Sequence, residues 1–338
     1  IIIITISMSK GLTNLGNTCY MNSALQCLLH LPQLSPDNEV LSMDCTKRSV
    51  KNDYQLMVQW LRLYQDMWRD SDTTVINTNP ILKEFIRRCT SEKVFFESFM
   101  QNDAQEFISL FIDLLHSSIK RKVKIEISGK PKTLYDQTKI ESIKSWRTFF
   151  EDNYSYIIKT FYSKLLSFTS CPQCKYVTKN HEPISTITLS LEPNFRSLYD
   201  CLNEFTKEDE LDIDNSWKCD NCKEDVCPHK KTAFWDVADV LIFSIKQFTK
   251  ERKINQKISF PENLSMEKYC MNINKHRLHY KLYGICVHSG SLHGGHYYAM
   301  CRNIQTNVWN KHNDTSVSPV SIQEVLNENP YCLFYVRK

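Results

Sequence analysis

Cys19 stands in the stretch Gly11–Leu31, GLTNLGNTCYMNSALQCLLHL, where a Gly/Asn-rich loop gives way to apolar residues at helical spacing (Met21, Ala24/Leu25, Leu28/Leu29). Thr18 or Asn17 is placed to cap that helix and Pro32 to end it. A thiol in the first turn faces unpaired backbone N–H groups and the positive end of the helix dipole. Both favour the thiolate, which is the nucleophile. The competing reading is a small buried hydrophobe, the usual fate of a free cysteine. A base decides between them. His288-Ser-Gly-Ser-Leu-His-Gly-Gly-His296-Tyr-Tyr gathers three of the seven glycines and three of the ten histidines. His296 opens an expected strand, and Gly290, Gly294 and Gly295 form a pliant lip before it. That seat suits a general base facing Cys19, whereas His288 and His293 read as ordinary polar residues. A third group must orient the imidazole. Trp309-Asn-Lys-His-Asn313-Asp314 ends the following strand, and Asn313 or Asp314 can accept from the ring; plain turn chemistry is the alternative.

A second chemistry lies in Cys171-Pro-Gln-Cys174 and Cys219-Asp-Asn-Cys222. Two CxxC pairs, each in a turn, suit one tetrahedral zinc with four thiolates, a closed and therefore structural site. Cys227 and His229 rank well below these four as ligands. A redox role lacks the expected βαβ setting.

The elements that must position these groups fall into two parts. The first third is helical: Asp53–Asp70, Asn79–Cys89 and Gln101–Lys120 carry apolar stripes, and Lys120–Lys144 reads as a basic surface connection. From about Tyr154 strands take over: Phe161–Ser170, Ile184–Leu191, Asp239–Phe248, Lys253–Phe260, His279–His288, His296–Arg302, Asn307–Lys311 and Cys332–Arg337. Short helices are expected at Ser197–Phe205, before an acidic loop at Glu208–Asp214, and at Ser321–Asn329. The layout is α+β, a helical lobe and then a β-rich lobe with a metal-binding insertion.

Composition sets the outer bounds. At 338 residues, 42% hydrophobic and 24% charged, the chain can bury a large core. A net charge of +4 makes no case for nucleic-acid binding. Fourteen cysteines in a chain this long point to metal and catalytic uses rather than a disulfide framework. Ile1–Ile6 is too short for a membrane span and lacks the basic start of a signal peptide. The expectation is an intracellular protein of cytoplasm or nucleus, without membrane or nucleic-acid partners, and a monomer. The first nine residues are an extension or the cut edge of a longer protein.

These segments together resemble the ubiquitin-specific proteases. GLTNLGNTCYMNSALQ is similar to the Cys box of that family, and YKLYGICVHSGSLHGGHYYAMCRN with VWNKHNDTSVSPVS to its His box. Gln101-Asn-Asp-Ala-Gln-Glu-Phe107, Ile245-Lys-Gln-Phe248 with Phe260-Pro261, and Tyr331-Cys-Leu-Phe-Tyr-Val-Arg337 resemble its other signatures, in order from Lys10 to the end. The resemblance implies a papain-like cysteine protease fold in a single catalytic domain, residues 10–338: a helical thumb (about 10–150), zinc-ribbon-like β fingers (about 155–238) and a β-rich palm (about 239–338). It implies a thiol-dependent deubiquitinase, acting on ubiquitin or ubiquitinated proteins. Cys19 is the implied nucleophile, His296 the base, Asn313 the third member, Asp314 the neighbouring acid and Asn14 the oxyanion-hole amide. Cys171, Cys174, Cys219 and Cys222 are the implied ligands of one structural zinc, with no catalytic cofactor. Asp103 and Glu106 match positions that hold the arginine-bearing ubiquitin tail, though their spacing also fits a capping box. Gly295 and Tyr297 match the channel for its Gly-Gly end. Gln247, Asn102 and His312 depart from the family pattern without touching the triad. Two rivals stand beside this reading: a protease for another ubiquitin-like modifier, and a catalytically silent ubiquitin-binding scaffold. The presence of Cys19, His296 and Asn313 speaks against the scaffold.

Overall fold

A two-residue strand, β1 (Gly11–Leu12), and a short loop feed helix α1 (Cys19–Leu29), every residue of which is buried. The structure is a computed structural model that describes residues 9–38, 41–42, 54–69, 71–97, 100–249, 251–271, 277–291, 294–303 and 306–338. The first eight residues, Asp53, Asp70 and His293 lie outside them. Around α1 pack α2 (Gln55–Trp68), α3 (Asn79–Ser91) and α4 (Ala104–Ile119), close to their expected bounds. Each presents an apolar stripe, such as Leu56, Trp60, Leu63 and Met67 on α2 or Phe107, Phe111 and Leu114 on α4. Fully burying one such side chain contributes roughly 1.5–3 kcal/mol. Strand β2 (Val75–Ile76) pairs in parallel with β1 and closes this lobe.

The expected surface connection at Lys120–Lys144 is corrected in its second half. Helix α5 (Leu134–Phe150) starts there, with Thr133 and Asp136 as a reciprocal capping box. It was hidden because only Thr138, Ser142 and Phe150 are buried, too few to print an apolar stripe. A short helix, α6 (Tyr156–Phe161), leads into the strands.

Strands β3 (Ser163–Ser170) and β4 (Val177–Ile184) form a hairpin, and β5 (Thr186–Leu189) continues into a different sheet. Helix α7 (Leu198–Phe205) is capped by Ser197. The expected acidic loop contributes an edge strand, β6 (Glu208–Glu210), and then come the small hairpin β7 (Trp217–Lys218) and β8 (Asp225–Val226), and β9 (His229–Asp236). The sheet order is β4-β3-β9-β6, with Glu208 opposite Lys231 and Asp209 opposite Lys230.

The large sheet adds β10 (Val240–Ile245), β11 (Asn263–Ser265), β12 (His279–Ser291), β13 (Gly294–Arg302), β14 (Trp309–Asn313), β15 (Ser316–Val320) and β16 (Pro330–Arg337), with a one-turn helix α8 (Ile322–Leu326) before the last. Its order is β15-β14-β13-β12-β16-β10-β5, with β11 beside β12. The expected strand at Lys253–Phe260 does not form. Both edges of β10 are already taken, by β16 and β5, so this segment runs outside the ladder and makes only isolated bridges at Lys253 and Ser259. One core lies between the helices and one face of the sheet; a second lies on the other face, under α7 and α8. The mixed helix-and-sheet layout agrees with the expected α+β class.

Candidate active site

Thr18 occupies the position before α1, but its side chain does not cap the helix. Its hydroxyl accepts from Leu15 N (2.9 Å) and donates to Asn14 Oδ1 (3.2 Å), shaping the loop instead. The first N–H groups of α1 are therefore left for the thiol. The backbone N–H groups of Tyr297, of Tyr20 and of Cys19 itself act on the sulfur of Cys19, and each lowers its pKa. The net direction is nevertheless upward. Burial pushes the thiol up most, and the negative charge of Asp314 adds to it. The sequence expectation of a thiol biased toward thiolate is thus reversed in the free protein: the helix end acts in the expected sense, and desolvation outweighs it.

The closeness of the Tyr297 N–H sets Cys19 against the start of β13, where His296 sits. His296 Nε2 lies 2.5 Å from Asn313 Oδ1 and 3.9 Å from Asp314 Oδ2. Asn313 is an acceptor at that oxygen, so Nε2 carries the proton and Nδ1 keeps a lone pair. Asp314 is fixed from three sides. Asn14 Nδ2 donates to Oδ2 (2.9 Å), Asn22 Nδ2 donates to Oδ1 (2.8 Å), and Leu12 N donates to its backbone oxygen (2.8 Å). Asp314 itself has a φ of 50°, a left-handed turn that a short polar side chain tolerates. Gly11 makes this crossing possible: a Cβ there would sit 2.5 Å from the carbonyl carbon of Thr315. Asn22 was missed in the sequence. Its signal was a polar residue one turn after Cys19 on a helix expected to be buried.

Asn14 is also a turn residue, as the sequence allowed. Its Oδ1 accepts from Gly16 N (3.0 Å) and Thr18 N (3.2 Å). Gly295 lies beside His288: a Cβ there would be 2.6 Å from Ser289 O and from the His288 ring carbon Cε1. The Tyr297 ring is buried between His288 (centroids 4.6 Å) and Tyr331 (5.8 Å), so this residue meets Cys19 through its backbone. Asp103 caps α4, accepting from Gln105 N (2.6 Å) and Glu106 N (3.3 Å), while Tyr331 donates to its other oxygen. Only this half of the expected capping box forms; the Glu106 carboxylate is exposed. Gln101 Nε2 donates to Gly295 O (3.3 Å) and ties the start of α4 to the β12–β13 hairpin. Gln247 is buried and donates to Asn329 Oδ1 and Pro330 O, a structural role.

Far from this site, Cys171, Cys174, Cys219 and Cys222 bring four sulfurs within 4.8 Å of one another. The two knuckles match: Lys175 N donates to Cys171 O (3.0 Å) and Lys223 N to Cys219 O (2.8 Å), and both lysines have a positive φ. The Cys171–Cys222 and Cys174–Cys219 sulfur distances are 3.8 and 3.6 Å. A tetrahedron with metal–sulfur bonds of about 2.3 Å has edges of about 3.8 Å, so the set fits a zinc ion. Cys227 and His229 do not join this group among the described residues. No helix among them is long and apolar enough to cross a membrane.

A nucleophile at a helix start, an imidazole with a free Nδ1 and an amide behind its Nε2 are the parts of an acyl-transfer site. The family model for ubiquitin carboxyl-terminal hydrolase matches residues 10–335. The chain is similar to ubiquitin carboxyl-terminal hydrolase 2 of Bos taurus (31% identical over 334 residues, 96% of this chain and 54% of that protein). It is also similar to ubiquitin carboxyl-terminal hydrolase Usp2 of Drosophila melanogaster (32% over 335 residues, 97% and 34%). It thus spans about half or less of the length of these relatives. Among solved structures it resembles a chain of the SAGA DUB module Ubp8/Sgf11/Sus1/Sgf73 bound to monoubiquitin (TM-score 0.75, 25% identity, covering 98% of this chain and 69% of that one). The same module bound to ubiquitin aldehyde gives a TM-score of 0.73 at 26% identity, covering 98% and 70%.

Proposed function

The chain belongs to the ubiquitin carboxyl-terminal hydrolase family, and from that premise we propose that it is a thiol-dependent deubiquitinase that hydrolyses the bond after the C-terminal glycine of ubiquitin. The observation that carries the reading is the pairing of His296 Nε2 with Asn313 Oδ1 at the start of the strand whose Tyr297 N–H acts on the Cys19 sulfur. His296 Nδ1 takes the Cys19 proton, and the sulfur attacks the glycine carbonyl carbon. The oxyanion forms against the Cys19 N–H and the second N–H of Asn14, whose first is held by Asp314. His296 returns the proton to the leaving lysine amine as the C–N bond breaks. Water, deprotonated by His296, then cleaves the thioester and frees Cys19. Asp314 keeps Asn14 and Asn22 in place and acts as a positioning residue.

The same geometry supports a reading of the substrate side. Both oxygens of Asp103 are committed, to the α4 backbone and to Tyr331, whereas Glu106 is exposed and available to an arginine of the ubiquitin tail. Gly295 supports a narrow channel for unbranched residues, with Tyr297 forming its floor. The four knuckle cysteines hold one structural zinc that replaces a core in the fingers. Residues 10–338 act as a single catalytic domain.

Ubiquitin bearing a C-terminal electrophile tests the reading by intact mass. A single covalent adduct, absent in Cys19→Ala although that variant still binds ubiquitin, is the expected result. Binding without an adduct overturns the enzyme assignment in favour of a scaffold, and neither binding nor adduct overturns ubiquitin as the modifier.

A further inference from the structure

The first turn of α4 carries Glu106, the carboxylate read above as the partner of a tail arginine, and that turn is held by a tyrosine from the far end of the chain. Glu106 is exposed and lies three residues after Asp103, which caps the helix. Asp103 Oδ1 accepts from Gln105 N (2.6 Å) and from Glu106 N (3.3 Å). Its Oδ2 accepts from the hydroxyl of Tyr331, on β16 of the large sheet. One carboxylate therefore joins the Tyr331 hydroxyl to the backbone N–H of Glu106.

The Tyr331 end of this link is rigid. The residue is buried, and its ring lies against those of Phe248 (centroids 5.5 Å) and Tyr297 (5.8 Å). Burial first, and then the negative charge of Asp103, push its pKa up, so the hydroxyl keeps the proton that it donates. The ring it leans on is tied to the same helix start, because the backbone N–H of Ala104 acts on the Tyr297 hydroxyl. Without the Tyr331 hydroxyl, Asp103 Oδ2 would stand against an apolar ring with nothing to accept from. Leaving it so is costlier than turning the carboxylate to water. Turning it withdraws Oδ1 from the cap, and the first turn of α4 loosens at Gln105 and Glu106.

We propose that Tyr331 is a positioning residue for substrate recognition: through Asp103 it fixes the first turn of α4 and holds the Glu106 carboxylate where the tail arginine arrives. The inference rests on the deubiquitinase reading and on Glu106 as the partner of that arginine. The same link occupies both oxygens of Asp103, so a bidentate guanidinium is directed to Glu106. An ion pair remote from the scissile bond is made equally before and during the reaction. Its loss therefore raises KM and leaves kcat in place.

The test is steady-state kinetics on a fluorogenic C-terminal ubiquitin amide, and on the same substrate with its tail arginines changed to alanine. The proteins are the wild type, Tyr331→Phe, Glu106→Gln and the double variant. Tyr331→Phe keeps the ring and loses only the hydroxyl. It is expected to raise KM about 3-fold to 10-fold, the worth of one hydrogen bond, with kcat unchanged. That penalty should vanish on the arginine-free substrate and in the Glu106→Gln background, which a general loosening of the fold would not do. A penalty that persists in either setting overturns the proposal. So does a KM that falls, the sign of an arginine captured by a freed Asp103. Should Tyr331→Phe fail to fold, Asp103→Ser, which keeps a capping oxygen and lacks the one on Tyr331, is read in the same way. A wild type that turns over no ubiquitin amide fails the deubiquitinase reading and this proposal with it. Normal turnover with Tyr331→Phe unaffected on both substrates overturns the positioning role alone.

Discussion

Gly295→Ala is a one-methyl change next to His296 whose cost can be worked from the structure. The new Cβ would lie 2.6 Å from Ser289 O and from the ring carbon Cε1 of His288. The first contact is with backbone in the paired strand, so no rotamer change removes it. The His288 ring is itself wedged against Tyr297 and Phe248, with centroids 4.6 and 5.1 Å away, and has no room to swing. The β12–β13 ladder must therefore open at the Gly290–Gly295 pair. Overpacking of this kind costs about 1–3 kcal/mol. The displaced strand carries His296, the proposed base, and a shift of about 1 Å in such a group costs on the order of 10²-fold in rate. The assay is kcat/KM on a fluorogenic C-terminal ubiquitin amide, together with the thermal midpoint without ubiquitin. A methyl in a substrate channel would also slow turnover, so the midpoint is the deciding readout: it should fall by several degrees. Gly294→Ala is the control, because its Cβ would meet nothing within 4 Å, and its midpoint should not move. A Gly295→Ala protein with an unchanged midpoint and full activity would refute the packing argument.

Asn313→Ala removes the acceptor at His296 Nε2 and should lower kcat by roughly 10²–10⁴-fold with little change in KM; an unaffected kcat would show that the ring is oriented by Asp314 alone. Because burial raises the Cys19 pKa, its alkylation by iodoacetamide in the free protein should climb as pH rises above the ordinary thiol range of about 8.5; a rate already flat at pH 7 would contradict a net upward shift. His30 is held neutral with its pKa lowered to about 4 from 6.5. The unfolded chain binds that proton first, so stability is full above pH 6.5 and is lost as pH falls toward 4, by about 3 kcal/mol from this residue. Denaturant midpoints should therefore drop across that window, and His30→Gln should flatten the drop.

What was legible in the sequence depended on how many physical constraints each segment carried. The stripes of α2, α3 and α4 bury against a core, so their periodicity is printed in the residues. The β12–β13 hairpin was marked by its glycines, but Gly290, Gly294 and Gly295, expected as a pliant loop before His296, lie inside the paired strands, where Gly295 has room for no side chain. Helix α5 was not, because its register is set by a capping box and a few contacts rather than a stripe. The strand expected at Lys253–Phe260 had the right alternation but no free edge to join, a constraint visible only once β5 and β16 flank β10. At the site, spacing pointed to Cys19 and His296 and left Asn313 and Asp314 open until the family resemblance selected Asn313, whereas Asn22 and the Tyr297 N–H reach the centre through packing alone. The direction of the Cys19 shift was misjudged for a similar reason. A dipole is a local property of a helix start, but desolvation depends on everything packed over it.

The strand Glu208–Glu210 bears on how this protein behaves when crowded. It is the outer strand of its four-stranded sheet, and all three of its acidic residues are exposed. An unpaired ladder edge is an invitation to intermolecular β-pairing, and consecutive like charges are a standard deterrent. Inside the sheet two of these carboxylates, Glu208 and Asp209, stand opposite Lys231 and Lys230, so they attract their own neighbour while repelling an identical strand from another copy. Three residues with little to pack thus act as a guard rail against self-association.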